Sequence, residues 1–384
     1  MYKISFFLLI SILVLSLSAC EQEEKTDEGF SDRTINSQYV QFRLVRVSGP
    51  FEHPWSVAFM PDGSYLVTER PGRLNHVKNG EITEIAGLPP IHARGQGGLM
   101  EVSLHPDFES NQFVYLTYSK GDRDGTATTL IRGTLSDGEL QNVEELFTQD
   151  RKSSPGRHYG SKLAWMADGT LLMSIGDRGG EPPRAQDNAD HAGTLLRLND
   201  DGSVPDDNPF IGHANVLPEI YSYGHRNIQG LVVDPVTQDI WATEHGPRGG
   251  DELNFVEPAT NYGWPVVSQG RSYRTEGVYE FTEHRALDGM TDPFYVLSPT
   301  LAPSGLAMVT SDKFPRWKGN LLAGGLRAER IRRLVIEGGE VVHDEELLLQ
   351  TIGRIREVRE APNGNIYILT DYSEGHMYRM EPTN

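Results

Sequence analysis

Along this chain, apolar and polar residues alternate in short runs broken by Gly, Pro, Asp and Asn, and no long stretch keeps a helical 3.6-residue apolar period. Period-two alternation puts successive side chains on opposite faces of a strand, so the chain reads as all-β. The runs also copy one another. Six copies follow in order: His53–Gly63 with Tyr65–Glu69, Gly98–Asp107 with Phe113–Tyr118, Lys162–Gly169 with Thr170–Ile175, Gln229–Pro235 with Asp239–Glu244, Gly305–Met308 with Gly319–Gly324, and Arg356–Gly364 with Asn365–Thr370. Each is strand, tight turn, strand, usually backed by a further apolar segment such as Arg73–Val77 or Ile331–Val335. One such sheet cannot bury its faces alone, whereas six set radially about an axis bury one another, which predicts a six-bladed β-propeller. The copies recur every ~45 to 80 residues, more than a four-stranded repeat requires, so some blades carry long loops. A pair of β-sandwiches is the competing architecture, and it leaves one pattern repeated six times without a cause.

The ends read differently. Residues 1–19 open with Lys3, continue through an apolar run from Ile4 to Leu17 that is short for a membrane span, and close on small residues before Cys20, as an export signal does. Leu17-Ser18-Ala19-Cys20 looks like a lipobox, in which cleavage precedes the cysteine and its thiol takes a lipid. The competing reading is an ordinary secretory signal with an incidental cysteine. Glu21 after Cys20 favours the outer membrane of a double-membraned cell, on its periplasmic side. Residues 20–38 are polar, acidic and poor in large apolar side chains, the composition of a disordered tether. The propeller is then expected over residues 39–384.

Composition narrows the partners. The formal net charge is −19, and removing Lys3 with the leader makes it −20. Such a surface excludes nucleic acid and leaves membrane contact to the lipid anchor, because both polyanions demand basic patches. Cys20 is the only cysteine, so no internal disulfide forms.

Equivalent positions in successive blades fall on one ring, so polar residues just before each first strand gather at one end of the channel. Those positions hold His53 and Trp55, Gln96, His158, Asn227 and Gln229, and Arg354 and Arg356. Singly, each reads as a surface, capping or solvated group. Meeting at one rim, imidazole, amides and guanidinia are costly to bury unless an anion fills the space between them. Two glycine-rich runs add to this: Arg94–Leu99 lets backbone approach a ligand closely, and Glu244–Asn254 combines exposed carbonyls with three carboxylates, oxygens of the kind calcium takes.

At these residues the sequence resembles the glucose/sorbosone dehydrogenase family, most of all its soluble aldose sugar dehydrogenases that use pyrroloquinoline quinone (PQQ). The likeness runs from about Val40 to Met380 and is carried by Gly95–Leu99, Tyr223–Gly230, Glu244–Pro247 with Gly250–Asn254, Asn261–Pro265 and Gly353–Arg356. The resemblance implies a six-bladed propeller with PQQ at the channel rim. It makes His158 the general base and Asp177 its support. It puts Gln96, Arg226, Asn227, Arg327, Arg354 and Arg356 around the quinone, the carbonyls of Gly246 and Pro247 on its calcium, and Glu252 and Tyr262 on a second, structural calcium. Where glucose-oxidising members carry a lysine against the quinone, this chain carries Arg327, with Arg330 close by; a planar fork replaces a compact ammonium. The implied reaction oxidises an aldose at C1 to a lactone, with hydride passing to C5 of PQQ and an external cytochrome or quinone as final acceptor. Two other readings stay open: a calcium-dependent propeller hydrolase or lactonase, which needs no ring of arginines, and a non-enzymatic sugar- or protein-binding propeller, which leaves His158 and Asp177 without a task.

Overall fold

The structure is a computed structural model that describes residues 30–275 and 277–383. The export signal, Cys20 and most of the stretch read as a tether lie outside the described residues. Six antiparallel sheets form, and each begins at the axis with one strand: Pro54–Phe59, Leu99–Leu104, Leu163–Trp165, Ile228–Val233, Pro303–Met308 and Ile355–Glu360. Each of these touches the next, and the last touches the first, so the ring is closed. This is a six-bladed β-propeller, with helix confined among the described residues to Phe108–Asn111 and a 3₁₀ turn at Pro182–Gln186.

Closure uses the start of the chain. Gln41–Phe51 pairs with Gly375–Pro382 and makes the sixth blade a five-stranded sheet whose outermost strand is Arg33–Asn36. The folded body therefore begins before residue 39, within the stretch expected to be a tether. Phe30 and Ile35 explain this, since both pack on the core built by Phe42, Leu44, Phe314 and Trp317. Stitching the first strands onto the last sheet also covers an edge that would otherwise invite pairing with another chain.

All six axial strands run the same way, so the segments before them share one rim and their ends share the other. Between the rims, Lys162 bridges Glu101 at 2.8 Å and Glu357 at 2.5 Å, and Arg359 pairs with both carboxylates from the far side. This four-charge cluster fills the middle of the channel. Burial pushes the Glu101 carboxyl up, but Lys162 and Arg359 outweigh it and hold the group below its usual range.

Candidate active site

The rim at the starts of the axial strands opens into a cavity. Trp55, Gln96, Asn227, Gln229, Arg354 and Arg356 all line it, brought from four blades. His158, Asp177 and Arg226 line an adjoining cavity with Arg157, Tyr273 and Tyr279.

His158 sits just before its axial strand with φ +53°, a left-handed backbone that must be held in place. Its main-chain N–H donates to Gln96 Oε1 at 2.8 Å, and the Gly160 N–H donates to Asn227 Oδ1 at 3.0 Å. Both amides thus anchor the histidine loop through their oxygens while lining the cavity. Gly176 is required here, because a Cβ would lie 2.3 Å from the His158 carbonyl oxygen. Below the loop, the fully buried Arg178 stacks on Tyr159 and donates to the Arg157 carbonyl at 2.6 Å.

Asp177 follows the neighbouring strand and is 1% exposed. Its Oδ1 accepts from His158 Nδ1 at 2.6 Å and from the Gly179 N–H at 2.7 Å, and its Oδ2 accepts from Trp264 Nε1 at 2.8 Å. Burial alone raises the carboxyl, but His158, Arg226 and the Gly179 N–H win and lower it, so it is ionised and accepts only. The Nδ1 proton is thereby fixed, and the lone pair of Nε2 remains for the cavity. Burial first, then Arg226 and Arg157, lower the imidazole below its ordinary 6.5 against the pull of Asp177. A lowered histidine stays neutral, and competent as a base, to more acidic pH. The acid limb of kcat/KM is accordingly expected below pH 6.5; a limb above neutrality contradicts this assignment.

The charge balance of the rim is uneven. Arg354 and Arg356 share the buried carboxylate of Asp371, at 3.2 and 2.8 Å, and His53 Nδ1 lies 3.2 Å from its other oxygen. Arg70 enters the same cavity from the first blade, and Arg226 stands beside it. Among the described residues that line the two cavities, the carboxylates of Asp177 and Asp371 therefore stand against the guanidinia of Arg70, Arg157, Arg226, Arg354 and Arg356. Nε of both Arg226 and Arg356 is buried without a partner. His245, lining the same cavity, is pushed down to about 3 by burial, Arg226, His158 and Arg356.

Arg327 is placed otherwise than expected. Arg327 lies in the turn after the strand Leu321–Gly325 and is exposed, and of that turn it is Leu326 that lines the cavity. Arg330 opens the following strand and pairs with Glu346. The additional guanidinium at the rim is that of Arg70. Sequence reasoning missed Arg70 and Asp371, although a signal existed. Second strands run antiparallel to the axial ones, so the residues that end them return to the same rim, as Glu69-Arg70, Asp177, Glu244-His245 and Asp371 do.

Of the residues implied for metals, Gly246, Pro247 and Glu252 lie in the Glu244–Asn254 segment and Tyr262 follows it. Asp251 organises it, accepting from the N–H groups of Gly246, Leu301 and Ala302 at 3.0, 2.8 and 2.8 Å. The Gly246 carbonyl faces the Tyr273 hydroxyl at 3.4 Å and so opens toward the His158 cavity; the Pro247 carbonyl accepts from the Gly250 N–H. Among the described residues no cluster of three or more His, Cys, Asp or Glu is arranged to hold a metal, so a cation here must draw on main-chain oxygens. Glu252 is pushed well above the usual carboxylate range by burial and by Glu244, Asp251 and Asp292, and the nearby Asn254 Oδ1 is buried without a partner. That surplus of oxygen suits a cation. The Tyr262 hydroxyl is already used, donating to the Phe255 carbonyl and accepting from the Glu257 N–H, which leaves its main-chain oxygen as the available ligand.

The family model for glucose/sorbosone dehydrogenase matches residues 51–379. The chain belongs to that family. It is an enzyme of the sugar dehydrogenase class. The aldose sugar dehydrogenase YliI of Escherichia coli is 37% identical over 357 residues, covering 91% of this chain and 94% of that protein. Quinoprotein glucose dehydrogenase B of Acinetobacter calcoaceticus is 25% identical, covering 95% of this chain and 92% of its own. The PQQ-bound aldose sugar dehydrogenase of Streptomyces coelicolor superposes with a TM-score of 0.74 at 27% identity, over 92% of this chain and 98% of that one.

Proposed function

We propose that this glucose/sorbosone dehydrogenase oxidises aldoses at C1 to lactones, using PQQ and calcium at the rim described above. One observation carries the reading: an excess of guanidinia around a cavity that adjoins a neutral histidine backed by a buried carboxylate. A hydrolase has no use for that excess, and a binding protein has no use for the His158–Asp177 pair. PQQ with its calcium, when bound, supplies the acceptor for the hydride leaving C1, and an external cytochrome or quinone takes the electrons onward. Arg354, Arg356 and Arg226 suit the three carboxylates of PQQ through charge-assisted, forked hydrogen bonds, with Gln96 and Asn227 offering amide nitrogens. The Gly246 and Pro247 carbonyls suit the calcium. His158 Nε2 takes the proton of the anomeric hydroxyl, and Asp177 steadies the imidazolium that results. The signal-like residues 1–20 favour export and anchoring at Cys20.

Reconstituting the metal-free protein with PQQ and calcium and following dye reduction with several aldoses tests the reading; reduction by none of them would end it. The rim also makes a graded prediction. Arg354→Ala removes the less buried arm of the Asp371 pair and is expected to weaken PQQ binding by about 10- to 100-fold, the worth of one charge-assisted hydrogen bond. Equal affinity in a cofactor titration contradicts the anion clamp.

A further inference from the structure

We propose that Trp264 is a positioning residue of the catalytic pair: its indole N–H fixes the Asp177 carboxylate, and through it the orientation of His158. This rests on the reading of His158 as the general base. Trp264 comes from the long excursion of the fourth blade and Asp177 from the third, so the contact exists only after the blades assemble. Oδ1 of Asp177 already serves His158 and the Gly179 N–H, whereas Trp264 is the donor to Oδ2 among the described residues. Without that donor the plane of the carboxylate is no longer pinned at Oδ2, and the charge that the indole N–H shared falls back on Oδ1 and the Nδ1 contact.

The indole is itself held firmly. It is 4% exposed, its main-chain N–H donates to the Gly224 carbonyl at 2.8 Å, and its carbonyl accepts from Gln186 Nε2 at 2.8 Å. The Arg226 guanidinium lies 5.1 Å from its ring, and Tyr279 packs against it at 5.0 Å. One side chain therefore touches the support of the base, a cation of the anion clamp and a wall of the His158 cavity.

Among the described residues, the charged and titratable groups facing His158 are Asp177, Arg226, Arg157 and His245, with Tyr273 and Tyr279 across the same cavity. Removing a donor from Asp177 makes its carboxylate a stronger acceptor and favours the imidazolium. Trp264→Phe keeps the ring and loses the N–H. In quinone-free, metal-free protein carrying ¹³C-labelled histidine, the His158 midpoint in an NMR titration is expected to rise by about one pH unit. The His158→Gln variant identifies the signal. In the reconstituted enzyme the acid limb of kcat/KM moves up by the same amount, kcat falls, and KM for the aldose holds. A midpoint and limb that stay where they are, even with a slower enzyme, reduce Trp264 to a packing group and overturn the proposal. If the phenylalanine variant does not fold, 3-benzothienylalanine at the same position keeps the shape without the N–H, and the same rise or its absence is then read from that protein. Should the wild-type protein oxidise no aldose, the functional reading fails, while the NMR titration still decides the Trp264 contact.

Discussion

His158→Gln is expected to lower kcat for aldose oxidation by roughly 10²- to 10⁴-fold, the usual worth of a positioned general base, while PQQ affinity stays close to that of the unaltered protein. Glutamine keeps the main-chain N–H that donates to Gln96 and fills a similar volume, so the loop survives. What disappears is the lone pair that Asp177 keeps turned to the cavity. The guanidinia of Arg70, Arg226, Arg354 and Arg356 come from other blades and do not depend on the imidazole. Cofactor titration and steady-state kinetics on the same sample separate the two effects. Turnover at the level of the unaltered enzyme removes His158 from the mechanism.

Lys162→Met is expected to cost about 3–5 kcal/mol of folding stability, because it leaves Glu101 and Glu357 buried with Arg359 as their remaining ionic partner. Methionine keeps the unbranched stem and lacks only the terminal ammonium, so the loss is chiefly electrostatic, with a smaller part from the cation over the Trp55 ring at 4.8 Å. The pH dependence has a definite sign. Glu101 is held below its unfolded range, so the stability it brings is present above that range and is lost as pH falls through its folded value. The gap between variant and parent is therefore widest near neutral pH and closes in acid, where the carboxylates protonate in both. Urea unfolding midpoints across that pH interval measure it. A variant as stable as its parent at pH 7 means the cluster is not paired as described.

Lys162 shows how far periodicity reaches. It opens the third copy of the repeat and is legible in sequence only as the polar flank of a strand, because its partners lie 61 and 195 positions away, at Glu101 and Glu357. Gln96, Asn227, Arg354 and Arg356 are legible as members of one rim from their common register. Their division of labour is not. The amide oxygens brace the histidine loop, and Asp371 sits between the two arginines. Arg327 follows from resemblance in sequence, but the turn after Leu321–Gly325 leaves it exposed.

The sequence by itself determined the blade count, the ring order and the end of the channel at which polar side chains collect, because strand periodicity and a repeated register are local properties that survive in one dimension. Only the tertiary structure decided which groups touch. The Trp264 contact with Asp177, the return of Arg70 and Asp371 to the rim, the buried charges on the axis and the sealing of the sixth blade by Gln41–Phe51 all join segments remote in the chain. Their distances are set when the six sheets close on one another, and closure is a property of the whole ring.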